Sequence, residues 1–208
     1  MTTRQTLGRG LRTEQLRSLA EELHSIRDYP PIISKGKGKY EGGILGFVKG
    51  LRLSARIIYY LREQLSDMNY EISWGHLLND SEASCSPECD IIVHKKGHLR
   101  QWNGSKDPIM NFCFIPANKA KAIVSCKSKL DNIDKEYPKS LKKYGINYIF
   151  IVAEYCKVTQ YKSLRQKARK AGYTDLYCLY FLGKNDEYKC DEKIHDKFIS
   201  RIRKVLDS

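Results

Sequence analysis

The chain has 208 residues, and 41% of them are hydrophobic, which is enough for one domain with a full core that needs neither disulfides nor metal ions. It carries 37 Lys and Arg against 24 Asp and Glu, a formal net charge of +13 at pH 7. This excess favours a polyanionic partner and does not by itself separate DNA, RNA and an acidic membrane surface. No apolar run of about 18 residues occurs, so we expect no membrane-spanning segment and no membrane partner.

The number and positions of the cysteines indicate the redox state of the cellular compartment. The seven cysteines are an odd number, and some of them, such as Cys126 and Cys178, lie in apolar runs. Free thiols in such runs behave as small hydrophobic side chains. Because the first residues also contain no apolar secretory segment, we expect a reducing, cytoplasmic compartment. Cys85 and Cys89 could form half of a zinc site, but no second pair with ligand spacing follows, so we expect no zinc.

The N-terminal part is predicted to be a helical arm. Apolar residues at helical spacing predict a helix over 13–27, which the Tyr-Pro-Pro sequence at 29–31 ends. The Gly/Lys-rich segment 34–43 (SKGKGKYEGG) is either a solvated linker or a basic arm that lies along a nucleic-acid backbone. It is not a P-loop, because no GK[ST] follows its second glycine. We therefore divide the chain into an arm, 1–43, and a domain, 44–208.

The domain is predicted to be α/β. It begins with a helix at 44–65 that has an apolar and a basic face. The KKGH sequence at 95–98 looks like a hairpin turn leading into an extension at 99–102. Strands in a meander, followed by strands alternating with helices, predict a mixed central sheet flanked by helices. After the first helix, the predicted elements are strands at 70–74, 89–94 and 120–126, a helix at 134–144, a strand at 147–153, a helix at 160–171, a strand at 176–182 and a helix at 192–206, and the segment 112–115 is apolar.

Two segments place an acid and a lysine on successive strong strands. Asp90 opens the strand in 86–93 (SPECDIIV), and Lys127 ends the strand in 122–128 (AIVSCKS). This arrangement resembles the PD-(D/E)XK nucleases, in particular the branch with a CDI strand and K-S-x-L after the second strand. The resemblance covers roughly residues 44–182. It implies a restriction-endonuclease-like fold with an αβββαβ core, and the predicted order of elements agrees with it independently.

The resemblance also implies an activity, the metal-dependent hydrolysis of phosphodiester bonds in DNA, as in restriction or other defence. Mg²⁺ (or Mn²⁺) would neutralise the developing charge and activate a water molecule. Asp90 and the backbone carbonyl of Cys126 would be metal ligands, and Lys127 would hold the attacking water or stabilise the phosphorane. Enzymes of this kind often act as homodimers, because cutting both strands needs two symmetry-related sites.

Ser125 departs from the family pattern, which usually has Glu or Asp at this position. Some restriction enzymes of this fold carry S-x-K and take the missing acid from the following helix, where Glu136 is the nearest candidate. Glu63 and Glu88 are the next candidates. We therefore predict a catalytic set of Asp90, Ser125, Lys127 and Glu136. The alternative is a catalytically degenerate module that binds nucleic acid without cutting it.

Basic and aromatic residues are candidates for DNA contacts. The basic helix at 160–171, with Lys162, Arg165 and three further basic residues, is either a second backbone-contacting surface or a solvated face. Trp74 and Trp102 either stack on bases or pack in the core. The residues predicted to contact the DNA backbone are Lys35, Lys37, Lys39, Arg52, Arg56 and Lys129.

Overall fold

The computed structural model describes residues 41–79, 84–97, 100–101, 112–183, 188–191 and 193–208. The predicted helix at 13–27 and the lysines of the Gly/Lys-rich segment lie outside these ranges, so the arm and its boundary with the domain stay predictions. The elements in chain order are α1 (Glu41–Gln64), β1 (Tyr70–Asn79), β2 (Ser84–Cys85), β3 (Cys89–Lys95), β4 (Arg100–Gln101), β5 (Phe112–Pro116), a 3₁₀ turn (Ala117–Lys119), β6 (Ala120–Lys129), α2 (Glu136–Lys142), β7 (Ile149–Lys157), α3 (Val158–Ala171), β8 (Asp175–Leu182), β9 (Tyr188–Cys190) and α4 (Ile194–Leu206).

The described strands form one mixed sheet in the order β4-β5-β1-β3-β6-β7-β8-β9, with β2 paired to β1. β1, β3 and β6 are antiparallel neighbours. β7 runs parallel to β6, and β8 runs parallel to β7, with α2 and α3 as the two crossovers. The succession α1-β1-β3-β6-α2-β7 is the predicted αβββαβ order. The predicted fold class, a mixed central sheet flanked by helices, is therefore confirmed.

The predicted hairpin between β3 and the extension at 99–102 is wrong. β3 already has a partner on each side, β1 and β6, so its edges cannot accept another strand. β4 pairs antiparallel with β5 instead, and β5 runs parallel to β1. A turn sequence shows where the chain reverses, but it does not show which strand occupies the edge beside it.

Apolar side chains cover both faces of the sheet. α1 and α4 pack on one face, where Leu53 and Phe198 belong to the same buried cluster as Phe150 of β7. α2 and α3 pack on the other face, with Leu141 and Leu164 in its cluster. Because both faces of β7 are buried over most of its length, its sequence is a continuous apolar run rather than an alternating one. None of the described helices is long and apolar enough to cross a membrane.

One buried carboxylate holds α3 against β8. Asp175, only 9% exposed, accepts hydrogen bonds from Arg165 Nε and Nη2 (2.7 and 2.6 Å). It also accepts hydrogen bonds from Arg169 Nε and Nη2 (3.2 and 3.0 Å). Burial by itself would raise the pKa of this carboxyl, but these donors and the Leu176 N–H lower it to about 2. Two arginines of the basic helix are therefore paired with a carboxylate of the same molecule, although both are partly exposed, and the lysines of the helix are exposed.

We expect Asp175→Asn to lower the free energy of unfolding at pH 7 by about 2 kcal/mol, less than is typical of a fully buried pair because both arginines are partly exposed. The pKa of the folded carboxyl lies below its ordinary value of 3.8, so its stabilising contribution is present above about pH 5 and is lost as the pH falls towards 2. Urea unfolding of both proteins from pH 7 to pH 2.5 checks this: the difference between them should shrink only below about pH 4. If the difference in free energy of unfolding between the two proteins did not change with pH, the charged Asp175 carboxylate would not be the stabilising group.

Gly75 of β1 lies against the backbone of β5. Its φ is 137°, and a Cβ at this position would lie 1.9 Å from the Cys113 carbonyl oxygen of β5. We expect Gly75→Ala to destabilise the fold by more than about 3 kcal/mol, because backbone must move to admit the methyl group. Gly97→Ala is the control: its φ is 79°, but nothing lies within 4 Å of the added Cβ. It should cost only about 1 kcal/mol in thermal or urea unfolding.

Candidate active site

Asp90 and Lys127 line one cleft at the end of the sheet where β3 begins and β6 ends. β3 and β6 are antiparallel, and the pairing of Ile91 with Val124 brings Asp90 opposite Ser125. Ser125 and Lys127 therefore lie on the strand beside Asp90, and all three line the same cavity of about 290 Å³. The sequence-predicted pairing of an acid on one strand with a lysine on the next is thus present as a single arrangement in space.

Helices from both faces of the sheet form the walls of the cleft. On the α2 side the wall is Tyr137, and β1 contributes Trp74. The α1 side is mostly made of small residues, which leaves the space in front of Asp90 open. The α1 residues that line the cleft are Gly50, Ser54, Ala55 and Ile58.

Asp90 is fixed by neutral donors from β6. Its Oδ2 accepts hydrogen bonds from the Cys126 N–H (2.8 Å) and from the Ser125 hydroxyl (3.3 Å). Burial raises the pKa of the Asp90 carboxyl above its ordinary value; the Cys126 N–H, the Lys127 ammonium and the Ser125 hydroxyl act against this, whereas the nearby Glu88 carboxylate adds to it. Since no donor from the described residues reaches Oδ1, that oxygen can accept a cation.

Cys126 contributes to the site through its backbone. Its thiol is buried, which raises its pKa well above the ordinary value, and the Ser54 hydroxyl of α1 lies within hydrogen-bonding reach of it. The side chain therefore belongs to the core under α1, while the N–H faces Asp90. The role of its carbonyl as a metal ligand stays a prediction.

Glu88 is the second carboxylate among the described residues that line the cleft. It precedes Asp90 by two residues, and its backbone carbonyl accepts a hydrogen bond from the Tyr137 hydroxyl (3.2 Å). Burial first, and then the charges of Cys89 and Asp90, raise the pKa of Tyr137 well above its ordinary value. Tyr137 therefore remains a neutral donor that holds the segment carrying Glu88 in place.

Solved structures with a similar fold are known. The cAAA-bound form of NucC from P. aeruginosa ATCC27853 superposes with a TM-score of 0.57 at 13% sequence identity, over 98% of this chain and 93% of that one. The cAAA-bound form of NucC from E. coli MS115-1 gives a TM-score of 0.57 at 12% identity, over 99% and 92% of the two chains. The apo form of the same protein gives 0.50 at 11% identity, over 81% and 92%.

This chain has a restriction-endonuclease-like fold. No protein-family model and no curated protein sequence matches the chain. At 11–13% identity, the likeness to NucC is a likeness of fold alone.

In this restriction-endonuclease-like fold the helix after β6 does not turn its glutamate towards Asp90. Glu136 is the first residue of α2; its side chain is 80% exposed and binds Lys139 Nζ at 2.7 Å. The next residue, Tyr137, is the one that lines the cleft. Successive helical residues point about 100° apart, so the two side chains cannot both face Asp90. Glu63 is exposed and does not line the cleft. A metal-binding role for Glu136 stays a prediction, but the geometry favours Glu88.

The residues predicted to contact DNA lie in different parts of the chain. Lys129 is half-exposed at the end of β6, where it binds Asp131 at 2.8 Å. Arg52 and Arg56 of α1 both reach the buried Glu154 of β7. Lys35, Lys37, Lys39 and Trp102 lie outside the described residues. All of these contacts therefore stay predictions.

Glu154 and Tyr137 are the residues of this region that the sequence analysis missed. Glu154 falls just beyond the predicted end of its strand at 153, whereas β7 continues to Lys157. A glutamate directly after an apolar run was the available signal, because a buried carboxylate requires a cationic partner. The chain has 14 tyrosines, and nothing in the sequence distinguishes Tyr137 from the others.

Proposed function

We propose that this chain is a metal-dependent DNA endonuclease that hydrolyses phosphodiester bonds in defence against foreign DNA. The observation that carries the proposal is the shared cleft, in which Asp90, Ser125 and Lys127 meet on two neighbouring strands with Glu88 at the same opening. The NucC proteins that share the fold are PD-(D/E)XK-type nucleases of CBASS defence. The net charge of +13 supports a polyanionic substrate.

The residues of the cleft fit a hard divalent cation such as Mg²⁺ or Mn²⁺. Mg²⁺ in proteins is held by one or two carboxylates and keeps several waters. Asp90 Oδ1 and the Glu88 carboxylate would supply these oxygens, with the Cys126 carbonyl as a third ligand. The described residues contain no cluster of three or more His, Cys, Asp or Glu side chains, so water would complete the coordination. A bound cation would neutralise phosphate charge and make a water more acidic.

The side chains around Asp90 then have distinct tasks. The Lys127 ammonium lies in the open part of the cleft, where it would hold the attacking water or stabilise negative charge on the phosphorane. Ser125 donates to Asp90 and keeps the carboxylate oriented. Tyr137 fixes the backbone before Asp90. Hydrolysis would proceed by direct attack of water on phosphorus, without a covalent intermediate. Cutting a duplex requires two such centres, which a homodimer would supply.

The second candidate function is a nucleic-acid-binding module that does not cut. Ser125 favours this alternative, because a neutral hydroxyl stands where the family usually has an acid, and a cation is held less tightly by fewer carboxylates. The same basic surface would then serve binding alone. The two functions differ in one outcome, whether the protein with metal breaks the DNA that it binds.

We expect the purified protein to cut plasmid or phage DNA with Mg²⁺ or Mn²⁺, and Asp90→Ala or Lys127→Ala to slow cutting by about 100-fold or more. DNA binding in EDTA should persist in both variants, because most binding energy comes from phosphate contacts elsewhere. Gel assays of supercoiled plasmid and fluorescence anisotropy measure the two properties. Salt-sensitive binding without cutting by either metal would support the binding module. Cutting that survives Lys127→Ala would mean that the site lies elsewhere.

Glu88→Gln and Glu136→Gln form a matched pair that identifies the second acid. We expect Glu88→Gln to raise the Mg²⁺ concentration for half-maximal cutting at least about tenfold, because it removes a ligand charge from the cleft. Glu136→Gln should leave this concentration unchanged, since its side chain is turned to solvent. Calorimetric titration with Mn²⁺ gives the same comparison without cleavage. The opposite ranking would show that the helix supplies the acid.

A further inference from the structure

Two buried carboxylates of the sheet each form ion pairs with two arginines of one helix. Asp175 of β8 binds Arg165 and Arg169, which lie four residues apart on α3. Glu154 of β7 is fully buried, and Arg52 and Arg56 are again four residues apart, on α1. Arg52 Nη2 lies 2.6 Å from Glu154 Oε1, and Arg56 Nη1 lies 3.7 Å from the same oxygen. Each helix is thus fastened to a strand by one carboxylate and two guanidinium groups.

The two arginine pairs lie on helices with different positions relative to the cleft. α1 packs mainly on β6, the strand between β3 and β7. Ser54 of α1 lines the cleft beside Asp90. Arg52 and Arg56 are each two residues from Ser54, roughly 200° around the helix, so they leave α1 on the other side. The helix is therefore fastened to β7 on one flank while its opposite flank forms the wall of the cleft.

The Glu154 contact is also close to the catalytic centre along the sheet. Ala153 of β7 pairs in register with Lys127 of β6, and Glu154 is the next residue. The position of α1 relative to Lys127 is thus set across one pair of adjacent strands. α3 has no such relation to the centre, because Arg165 and Arg169 bind at the opposite end of the parallel strands, where β8 begins.

We propose that Glu154, together with Arg52 and Arg56, is a positioning group that sets the distance between α1 and the Asp90–Lys127 centre. Its catalytic consequence rests on the proposed nuclease function. None of the three side chains lines the cleft, so they act through the backbone of α1 rather than on the phosphate. A cleft wall displaced by about 1 Å shifts the bound strand, and such misplacement reduces turnover by up to about 100-fold.

Glu154→Gln and Asp175→Asn are the matched test of this proposal. Both remove the charge of a buried strand carboxylate bound by two helical arginines, and both should lower the melting temperature. We expect Glu154→Gln to lower the cleavage rate at saturating DNA tenfold or more, with the dissociation constant for DNA changed less than twofold. Asp175→Asn should cleave at the wild-type rate below its melting temperature. Equal loss of rate in the two variants, or an unchanged rate in Glu154→Gln, would overturn the proposal.

Arg56→Gln is the milder variant, because it removes only the longer contact and leaves Arg52 on Glu154. It should show an intermediate loss of rate at saturating DNA. This variant also separates positioning from the predicted phosphate contact. A phosphate contact would instead weaken DNA binding and reduce the slope of log affinity against log salt by about 1, with the rate at saturating DNA unchanged. That result would replace the positioning role by direct DNA binding.

A fluorescence measurement tests the proposal even for a protein that does not cut. Trp74 and Trp102 are the two tryptophans of the chain, and Trp74 lines the cleft with Ala55 and Ile58 of α1. In a Trp102→Phe background, Glu154→Gln should shift the Trp74 emission maximum, while Asp175→Asn should not. An unshifted emission in the Glu154→Gln protein would reject the positioning role. An emission shift without any DNA cleavage by the parent protein would reject the nuclease function alone.

Discussion

The hydrogen bond from the Cys126 N–H to Asp90 Oδ2 ties the start of β3 to the end of β6, and the rest of the site depends on it. It joins the two strands in the register that puts Asp90 opposite Ser125 and leaves Lys127 at the open end of the cleft. Side chains alternate along a strand, so a slip of one residue would turn Asp90 to the other face of the sheet. The buried residues on both faces of β3 and β6 prevent that slip, because it would exchange the members of two cores.

The electrostatic surroundings of Asp90 and Asp175 are opposite, and under the proposed function only Asp90 binds a cation. Both are partly or fully buried aspartates of the same sheet. Arg165 and Arg169 lower the pKa of Asp175 to about 2, so its charge is already balanced. The pKa of Asp90 is raised instead, since neutral donors and a more distant Lys127 do not offset its burial and the charge of Glu88. The charged form of such a carboxylate is disfavoured mainly by burial, and a bound cation would offset that cost, as the proposed function requires.

The αβββαβ core and the Asp90–Lys127 pair were predictable from the sequence because each depends on local signals, whereas the strands β2, β5 and β9 were not predicted. Alternation, apolar runs and the positions of turns define strands and helices, and an acid and a lysine at strand ends are visible in the residues themselves. Contacts between distant segments were not predictable in this way. Glu154 lay one residue past a strand whose end was predicted too early, and its partners are about 100 residues earlier, on α1.

The sequence also did not predict which side chain of α2 faces the cleft. The predicted helix began at 134, whereas α2 begins at Glu136, with Asp134 accepting hydrogen bonds from the N–H groups of Glu136 and Tyr137. One residue of helical phase decides whether a glutamate or a tyrosine faces the cleft. The amino-acid pattern cannot supply that phase, because α2 is short and its contacts with the sheet set it.

The positions of Asp90 and Glu88 explain why a serine rather than an acid is compatible with position 125. Ser125 is buried directly beside the Asp90 carboxylate, and a second carboxylate there would repel it strongly unless a cation lay between them. The serine donates a hydrogen bond instead, which stabilises Asp90 without metal. Under the proposed function, the second acid is then Glu88, which is exposed to solvent and whose charge is less costly to hold. Such a site folds independently of metal and binds the cation more weakly, which makes occupancy depend on the free metal concentration.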